Sequence, residues 1–434
     1  MVLLTVAVRI PATGTARELL CRHNISRQSN FCQNGTGVGR KAVVQWVGIL
    51  YQPQLTNPSS GVAMKIERIT PFLVDRFLLV RVYTDEGIVG NGEAGLWAHH
   101  KSVYHAIEEL SDYYVGKDPR RMEHHYQVVS RNTHFAGAVL SAALSALDMA
   151  MWDILGKSVG LPVHQLLGGK CRDRVKVFAN VVGDSVEARA ESAREQVEAG
   201  YLSLRTMPFF PDWEQKTPTQ VIDDAVAIVA AIREAVGDGI DLGVEIHRNL
   251  RPEQAIVLAG ELAPYRLLYY EDPLPPESVE ALAYVARHVH LPIATGERFY
   301  AIQQFKDLID RQVVSLIRPD LSLAGGFTQL KKIAGMAEAA FVGIFPHLMG
   351  SPVNVAAFVH LDAAIPNYVL MESHTFADAY NEIVDEPVTR EGGYIRVSDR
   401  PGIGVEIVES RLAQFPYRPQ KITGYFHADG SVAH

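Results

Sequence analysis

The sequence predicts an α/β fold: a (β/α)7β barrel of the TIM type, with an α+β capping domain formed by the N-terminal block and the C-terminal tail. Three observations predict it. From about residue 175, short apolar runs alternate with helical patterns, as in a parallel barrel. Several of these runs (LLYY, VVSLI, FVGIF) are apolar throughout, as strands buried on both faces should be. The text from Met64 to the first of them has a different grammar, hairpin strands followed by helices.

The elements follow in order. Residues 66–75, 76–84 and 88–93 read as three strands, with Asp85-Glu86-Gly87 as a turn, so an antiparallel meander is expected. Apolar residues at 103, 106, 107 and 110 mark a helix over 99–115, and the more apolar 136–155 marks a buried one. Gly160-Leu161-Pro162 and Gly168-Gly169 close this block. Eight barrel strands are expected at 175–182, 202–207, 241–246, 267–271, 292–296, 314–318, 342–346 and 368–371. Seven helices separate them, at 186–199, 218–235, 252–263, 279–288, 302–311, 327–339 and 352–363. The expected domains are a cap over 64–174, a barrel over 175–385, and a tail over 386–434 that packs back on the cap.

Composition excludes several classes. The 434 residues are 47% hydrophobic and 21% charged, which is neither disordered nor fibrous. A net charge of −8 gives no electrostatic support for nucleic-acid binding. No wholly apolar run approaches the roughly 20 residues of a membrane span. Three cysteines, at 21, 32 and 171, fit neither a disulfide framework nor a zinc ribbon, and a reducing, cytoplasmic setting is expected. Residues 1–63 stand apart, with six arginines and lysines against one acid, Glu18. They read as a leader outside the fold: upstream sequence before a true start at Met64, or else a targeting segment.

The chemistry lies at the strand ends. In such a barrel the active site forms at the C-terminal ends of the strands. Those ends carry Glu245, Glu271, Glu297, Asp320, His347 and Glu372, at intervals of 26, 26, 23, 27 and 25 residues, one βα unit each. Three carboxylates on adjacent strands repel one another unless a cation joins them. Hard oxygen ligands without cysteine suit Mg²⁺, so Glu245, Glu271 and Glu297 are its candidate ligands. His347 is a base candidate near neutral pH, with Asp320 placed to orient it. His247, two residues beyond Glu245 and on the same side of an extended strand, is a second acid/base candidate.

GVEIH, YYEDP, ATGER, RPDLSLAGG, FPHL and VLMES resemble the barrel motifs of the enolase superfamily, mandelate racemase subgroup, and within it the sugar-acid dehydratases. The resemblance runs from about Met64 to the C-terminus, and DMAMWDILGK with LPVHQLLGG resembles the family's join between cap and barrel. It implies that Glu245, Glu271 and Glu297 are metal ligands and that Asp320 and His347 form a His–Asp dyad. It further implies a Glu372 that hydrogen-bonds a substrate carboxylate in its protonated form, and a His247 that protonates the leaving group. Two departures stand out. The first ligand is usually Asp in the galactonate-type pattern, and here it is Glu245. The second strand carries Arg205-Thr206-Met207 where many members have a Lys-x-Lys base. One-base dehydration through His347 is therefore expected over racemisation.

The implied reaction removes a proton α to a carboxylate, with Mg²⁺ stabilising the resulting ene-diolate, and ends in a 2-keto-3-deoxy acid. The substrate is a small sugar acid of the gluconate or galactonate type. Mannonate dehydration, epimerisation, and non-catalytic sugar-acid binding or sensing are the alternatives. Cap residues Trp97, His99, His100, Arg131, His134 and Phe135, with Arg298 at the barrel rim, are the candidate substrate contacts. The resemblance also implies a homo-oligomer. Gly90-Asn91-Gly92-Glu93-Ala94-Gly95 matches GxGxxG but sits in a hairpin, so no dinucleotide site is expected. Ala324-Gly325-Gly326 reads as a βα turn, His360 as a packed histidine, and Cys171 as an inactive thiol.

Overall fold

The computed structural model describes residues 64–372, 375–421 and 424–433. The chain divides into two units, Met1–Ser60 and Gly61–His434, and every described residue belongs to the second. The leader expected over 1–63 lies outside the described residues.

The cap opens with β1 (Ile66–Val74), β2 (Phe77–Thr84) and β3 (Val89–Ala94), an antiparallel meander in the order β1-β2-β3. Helices α1 (His100–Tyr114), α2 (Met122–Asn132) and α3 (Ala138–Val159) cover it, and the short α4 (Val163–Leu166) follows. Gly90 and Gly92 belong to β3 for a packing reason. A Cβ at either would collide with the backbone carbonyls of Ala150 and Ala146 on α3. That close approach, and not phosphate binding, explains the GxGxxG match. By length and composition α3 could cross a membrane, which qualifies the reading of the apolar runs. It is instead a core helix: 72% of its most apolar window is buried, and Asp148 and Asp153 are satisfied inside the fold.

Strand β4 (Arg174–Lys176) leads into the barrel. Its strands are β5 (Ala179–Val181), β6 (Ser203–Thr206), β7 (Asp241–Glu245), β8 (Tyr269–Glu271), β9 (Ile293–Thr295), β10 (Leu316–Ile317) and β11 (Gly343–Ile344). All neighbouring pairs are parallel, in sequence order. The eighth expected strand closes the ring through single parallel bridges, Tyr368 to Ile344 on one side and Met371 to Val177 on the other. The helices between strands are α5 (Val186–Glu198), α6 (Pro218–Val236), α7 (Pro252–Leu262), α8 (Val279–Ala286), α9 (Ile302–Asp310), α10 (Gly326–Ala339) and α11 (Pro352–Ala363). Sequence set their starts: Ser185, Thr217, Ser278 and Ser351 each cap a helix through the side-chain oxygen.

Inside the barrel, Phe178, Tyr269, Leu316, Phe345 and Leu370 fill one layer. A larger apolar cluster joins the outer faces of the strands to the helices, and a second lies within the cap. In the tail, β12 (Arg390–Glu391) pairs with β13 (Tyr394–Arg396), and β13 pairs with β4, both antiparallel. Residues beyond them bond to the cap: Ile403 N donates to Asp153, Arg81 meets Glu406 and Glu409, and Arg418 meets Asp75. A last short helix is α12 (Glu409–Leu412).

Candidate active site

Glu245 and Glu271 are the last residues of β7 and β8 and pair directly in the ladder. Glu297 stands two residues beyond β9. One carboxylate oxygen from each lies within 4.8 Å of the others. Glu271 is completely buried, and neither of its oxygens has a hydrogen-bond partner. Burial first, with repulsion from Glu245 and Glu297, pushes its pKa well up against the pull of Arg318 and Arg205. A buried, repelled carboxylate whose oxygens meet ion-pair partners but accept no well-aligned hydrogen bond fits a bound cation, and an all-oxygen donor set fits a hard divalent one.

The protein also supplies cations that sequence reading missed. Arg205, on β6, is 6% exposed and sends Nη1 to Glu372 (3.0 Å), Glu245 (3.2 Å) and Glu271 (3.8 Å). Arg318, one residue past β10, is fully buried; its Nε lies 2.8 Å from Glu271 and its Nη2 donates to Glu372. The two guanidinium groups lie over aromatic rings of the apolar layer, Arg205 on Phe178 and Arg318 on Phe345. Arg248 adds a third cation, bonded to Glu297 and to Asp272 (2.6 Å). The inference that three glutamates must have a metal to coexist is thus incomplete, because fixed arginines share the task. The only sequence signal was arginine inside or beside an apolar strand, at SLRT and LIRPD.

His347 follows β11, and its Nδ1 donates to Asp320 at 2.7 Å. Asp320 is held in turn by Ser322, whose N–H (2.8 Å) and hydroxyl (2.6 Å) both reach its Oδ1. The free Nε2 of His347 points toward Glu297, 4.0 Å away. Burial lowers the His347 pKa, but Glu297 and the bonded Asp320 outweigh it and raise the value to about 9. Burial likewise opposes charge on Glu297, yet His347, Arg248 and Arg318 hold it down at about 2.

Glu372 receives Arg318, Arg205 and the N–H of Leu348. Three donors converge on this carboxylate, so Glu372 anchors the two arginines. The premise for His247 changes. β7 ends at Glu245, and His247 and Arg248 have φ of 54° and 69°, so the chain leaves the strand in a left-handed turn. His247 is exposed at the barrel mouth, within the electrostatic reach of Glu245 and Glu297.

The cap candidates divide. Trp97 lines a small cleft with Glu93, His100, Asp320, Ser322 and Asn354, beside the dyad. His100 is buried, and desolvation lowers its pKa to about 4. His99, Arg131, His134 and Phe135 are exposed to solvent, Phe135 by 90%. Arg298 is exposed and pairs with Glu277 at 3.1 Å.

Residues 64–168 match the mandelate racemase / muconate lactonizing enzyme N-terminal domain, and residues 188–411 match the enolase C-terminal domain-like family. The chain belongs to the enolase superfamily, in its mandelate racemase branch. A D-galactonate dehydratase of Ralstonia pickettii is 38% identical over 384 residues, covering 85% of this chain and all of the relative. That of Pectobacterium atrosepticum is 38% identical over 361 residues, covering 81% of this chain and 94% of the relative. Among solved structures, a candidate galactarate dehydratase of Agrobacterium radiobacter, with bound sodium and L-malate, superposes with a TM-score of 0.79 at 30% identity. That match covers 85% of this chain and 99% of the other. These relatives place the enzyme among the sugar-acid dehydratases, which are hydro-lyases.

Proposed function

We propose that this enzyme dehydrates a six-carbon aldonic acid, D-galactonate or a close epimer such as gluconate, to the 2-keto-3-deoxy acid. The observation that carries the reading is the His347–Asp320 pair facing the three-glutamate cluster, with no lysine on the second strand to serve an opposite face. The names of the relatives favour galactonate within that class.

Glu245, Glu271 and Glu297 would hold Mg²⁺. When bound, it supplies fixed positive charge where the substrate carboxylate gains negative charge. The remaining work falls to side chains. In its neutral form His347 takes the C2 proton on Nε2, because Asp320 occupies Nδ1 and fixes the ring; a cation held by Glu297 would offset the negative charge that raises the His347 pKa. Arg205 and Arg318, anchored by Glu372, keep their donors beside the carboxylate cluster through the change in charge. His247, at the mouth, gives a proton to the C3 hydroxyl as it leaves as water. The resulting enol tautomerises to the 2-keto acid.

The test is turnover of a panel of five- and six-carbon aldonic acids, with and without Mg²⁺, detecting 2-keto-3-deoxy products. Metal-dependent product from galactonate or gluconate is expected. Product from mannonate alone would move the assignment to mannonate dehydration, and interconversion of epimers without loss of water would make it an epimerase. His347→Asn should lower kcat by about 10²–10⁴-fold with metal binding retained. Turnover unchanged in that variant would refute the assigned base.

A further inference from the structure

The base pair of the barrel is continuous with a buried carboxylate of the cap. Glu93, on β3, is 2% exposed and lies beside barrel loops rather than its own sheet's solvent face. It accepts the N–H of Ser351 at 3.0 and 3.2 Å and also the Ser351 hydroxyl. Ser351 ends the short loop that begins at His347 and caps α11. Inside the first turn of α11, Asn354 sends Nδ2 to the Ser322 hydroxyl at 3.2 Å. Ser322 in turn donates to Asp320, and Asp320 accepts from His347. The contact is close-packed: Gly95 N donates to Ser322 O, and a Cβ on Gly95 would strike the Ser322 hydroxyl. A Cβ on Gly350 would likewise strike Asn354.

We propose that Glu93 is a positioning residue for catalysis: from the cap it fixes the His347 loop and, through Ser351, Asn354 and Ser322, the orientation of the His347–Asp320 pair. This rests on the assignment of His347 as the base. Both Glu93 oxygens are occupied by donors of the 347–351 loop, so the loop has one satisfied arrangement. Glutamine has the same shape but turns an NH₂ toward one of those donors, leaving it unpaired in a buried site. Proton abstraction falls steeply when a base is displaced by even about 1 Å, so loss of this hold should reach the chemical step.

The experiment compares Glu93→Gln and Ser322→Ala with wild type. Hydrogen-bond partners that orient metal-bound histidines contribute about 10–100-fold, and by the same orienting role a kcat loss of that size is expected in both variants. KM and the Mg²⁺ dissociation constant should stay within about threefold. The His347 Nδ1–H proton resonance, assigned in ¹⁵N-histidine-labelled protein with the aid of His347→Asn, should lose its hydrogen-bonded downfield position. A merely structural role predicts the reverse: lower thermal stability, weaker metal and substrate binding together, and a normal kcat at temperatures well below unfolding. That outcome, or an unmoved resonance in Ser322→Ala, would overturn the proposal. If Glu93→Gln fails to fold, Ser351→Ala, which removes the hydroxyl donated to Glu93, carries the test, and an unmoved resonance and normal kcat there would overturn the proposal. The resonance needs no substrate, so it decides the positioning claim even if no aldonic acid is turned over by wild type, which would instead count against the proposed function.

Discussion

The barrel half and the cap half of the site obey different rules. Barrel residues sit at strand ends, where parallel pairing fixes their height and the βα unit fixes their spacing in sequence. Glu245, Glu271, Glu297, Asp320, His347 and Glu372 therefore come together as their intervals imply. Loop composition alone marks the cap candidates, and most of them are solvent-exposed: His99, Arg131, His134 and Phe135. Trp97, His100 and Glu93 lie on the cap side of the cleft beside the dyad, and Glu93 is a strand residue whose partner Ser351 is 258 residues away. A repeating scaffold writes its site into the sequence as a period, whereas a docked domain contributes through packing that no local pattern records.

The sharpest way to break this contrast is a matched pair of substitutions. Glu271→Gln removes the buried centre of the three-glutamate cluster and should abolish measurable Mg²⁺ binding, with turnover reduced more than about 10³-fold. Arg131→Ala alters an exposed cap residue and should change kcat/KM by less than about threefold. Calorimetric metal titration and steady-state kinetics read both. A comparable loss in Arg131→Ala would mean that the cap loop reaches the substrate, and the contrast between the halves would fail.

The interior arginines sharpen the same contrast within the barrel. Glu245, Glu271, Glu297, Glu372 and Asp272 bring five negative charges, and Arg205, Arg318 and Arg248 return three, so one divalent cation would balance the set. Arg205→Met should therefore tighten divalent-cation binding by about tenfold while destabilising the metal-free protein by about 3–5 kcal/mol, the cost of unpairing buried charge. The gap in melting temperature with and without Mg²⁺ should widen. Weaker metal binding in this variant would show that Arg205 helps to shape the ligand cage instead of competing with its cation.

Legibility from sequence followed the same division. The eight strands and seven barrel helices were readable because each is a short apolar run or a periodic segment bounded by capping and turn residues. Arg205 and Arg318 were not, because a period gives the height of a residue in the barrel but not whether it points inward, which the pleat and strand stagger decide. The backbone at His247 departs from the expected geometry. The expected extended geometry ends at Glu245, and a left-handed turn carries the histidine to the mouth.

The smallest expected effect concerns the seam where α11, having begun beside the dyad at Ser351, ends against α4. His360 stacks on His164 with ring centroids 5.2 Å apart, and its Nδ1 accepts the His164 N–H. Burial first, then the neighbouring His164, lowers the His360 pKa to about 3, from an ordinary 6.5. The folded state thus keeps this ring neutral while the unfolded state takes up a proton below pH 6.5. Its contribution to stability is complete above pH 6.5 and is lost progressively as pH falls toward 3, by about 2 kcal/mol on reaching pH 5. Urea unfolding midpoints across pH 5–8 should fall on the acid side in wild type and fall less in His360→Gln, whose side chain does not titrate. Equal slopes in the two proteins would mean that the seam is not where acid acts, and that carboxylates such as Glu297, held ionised in the folded barrel, set the acid limit instead.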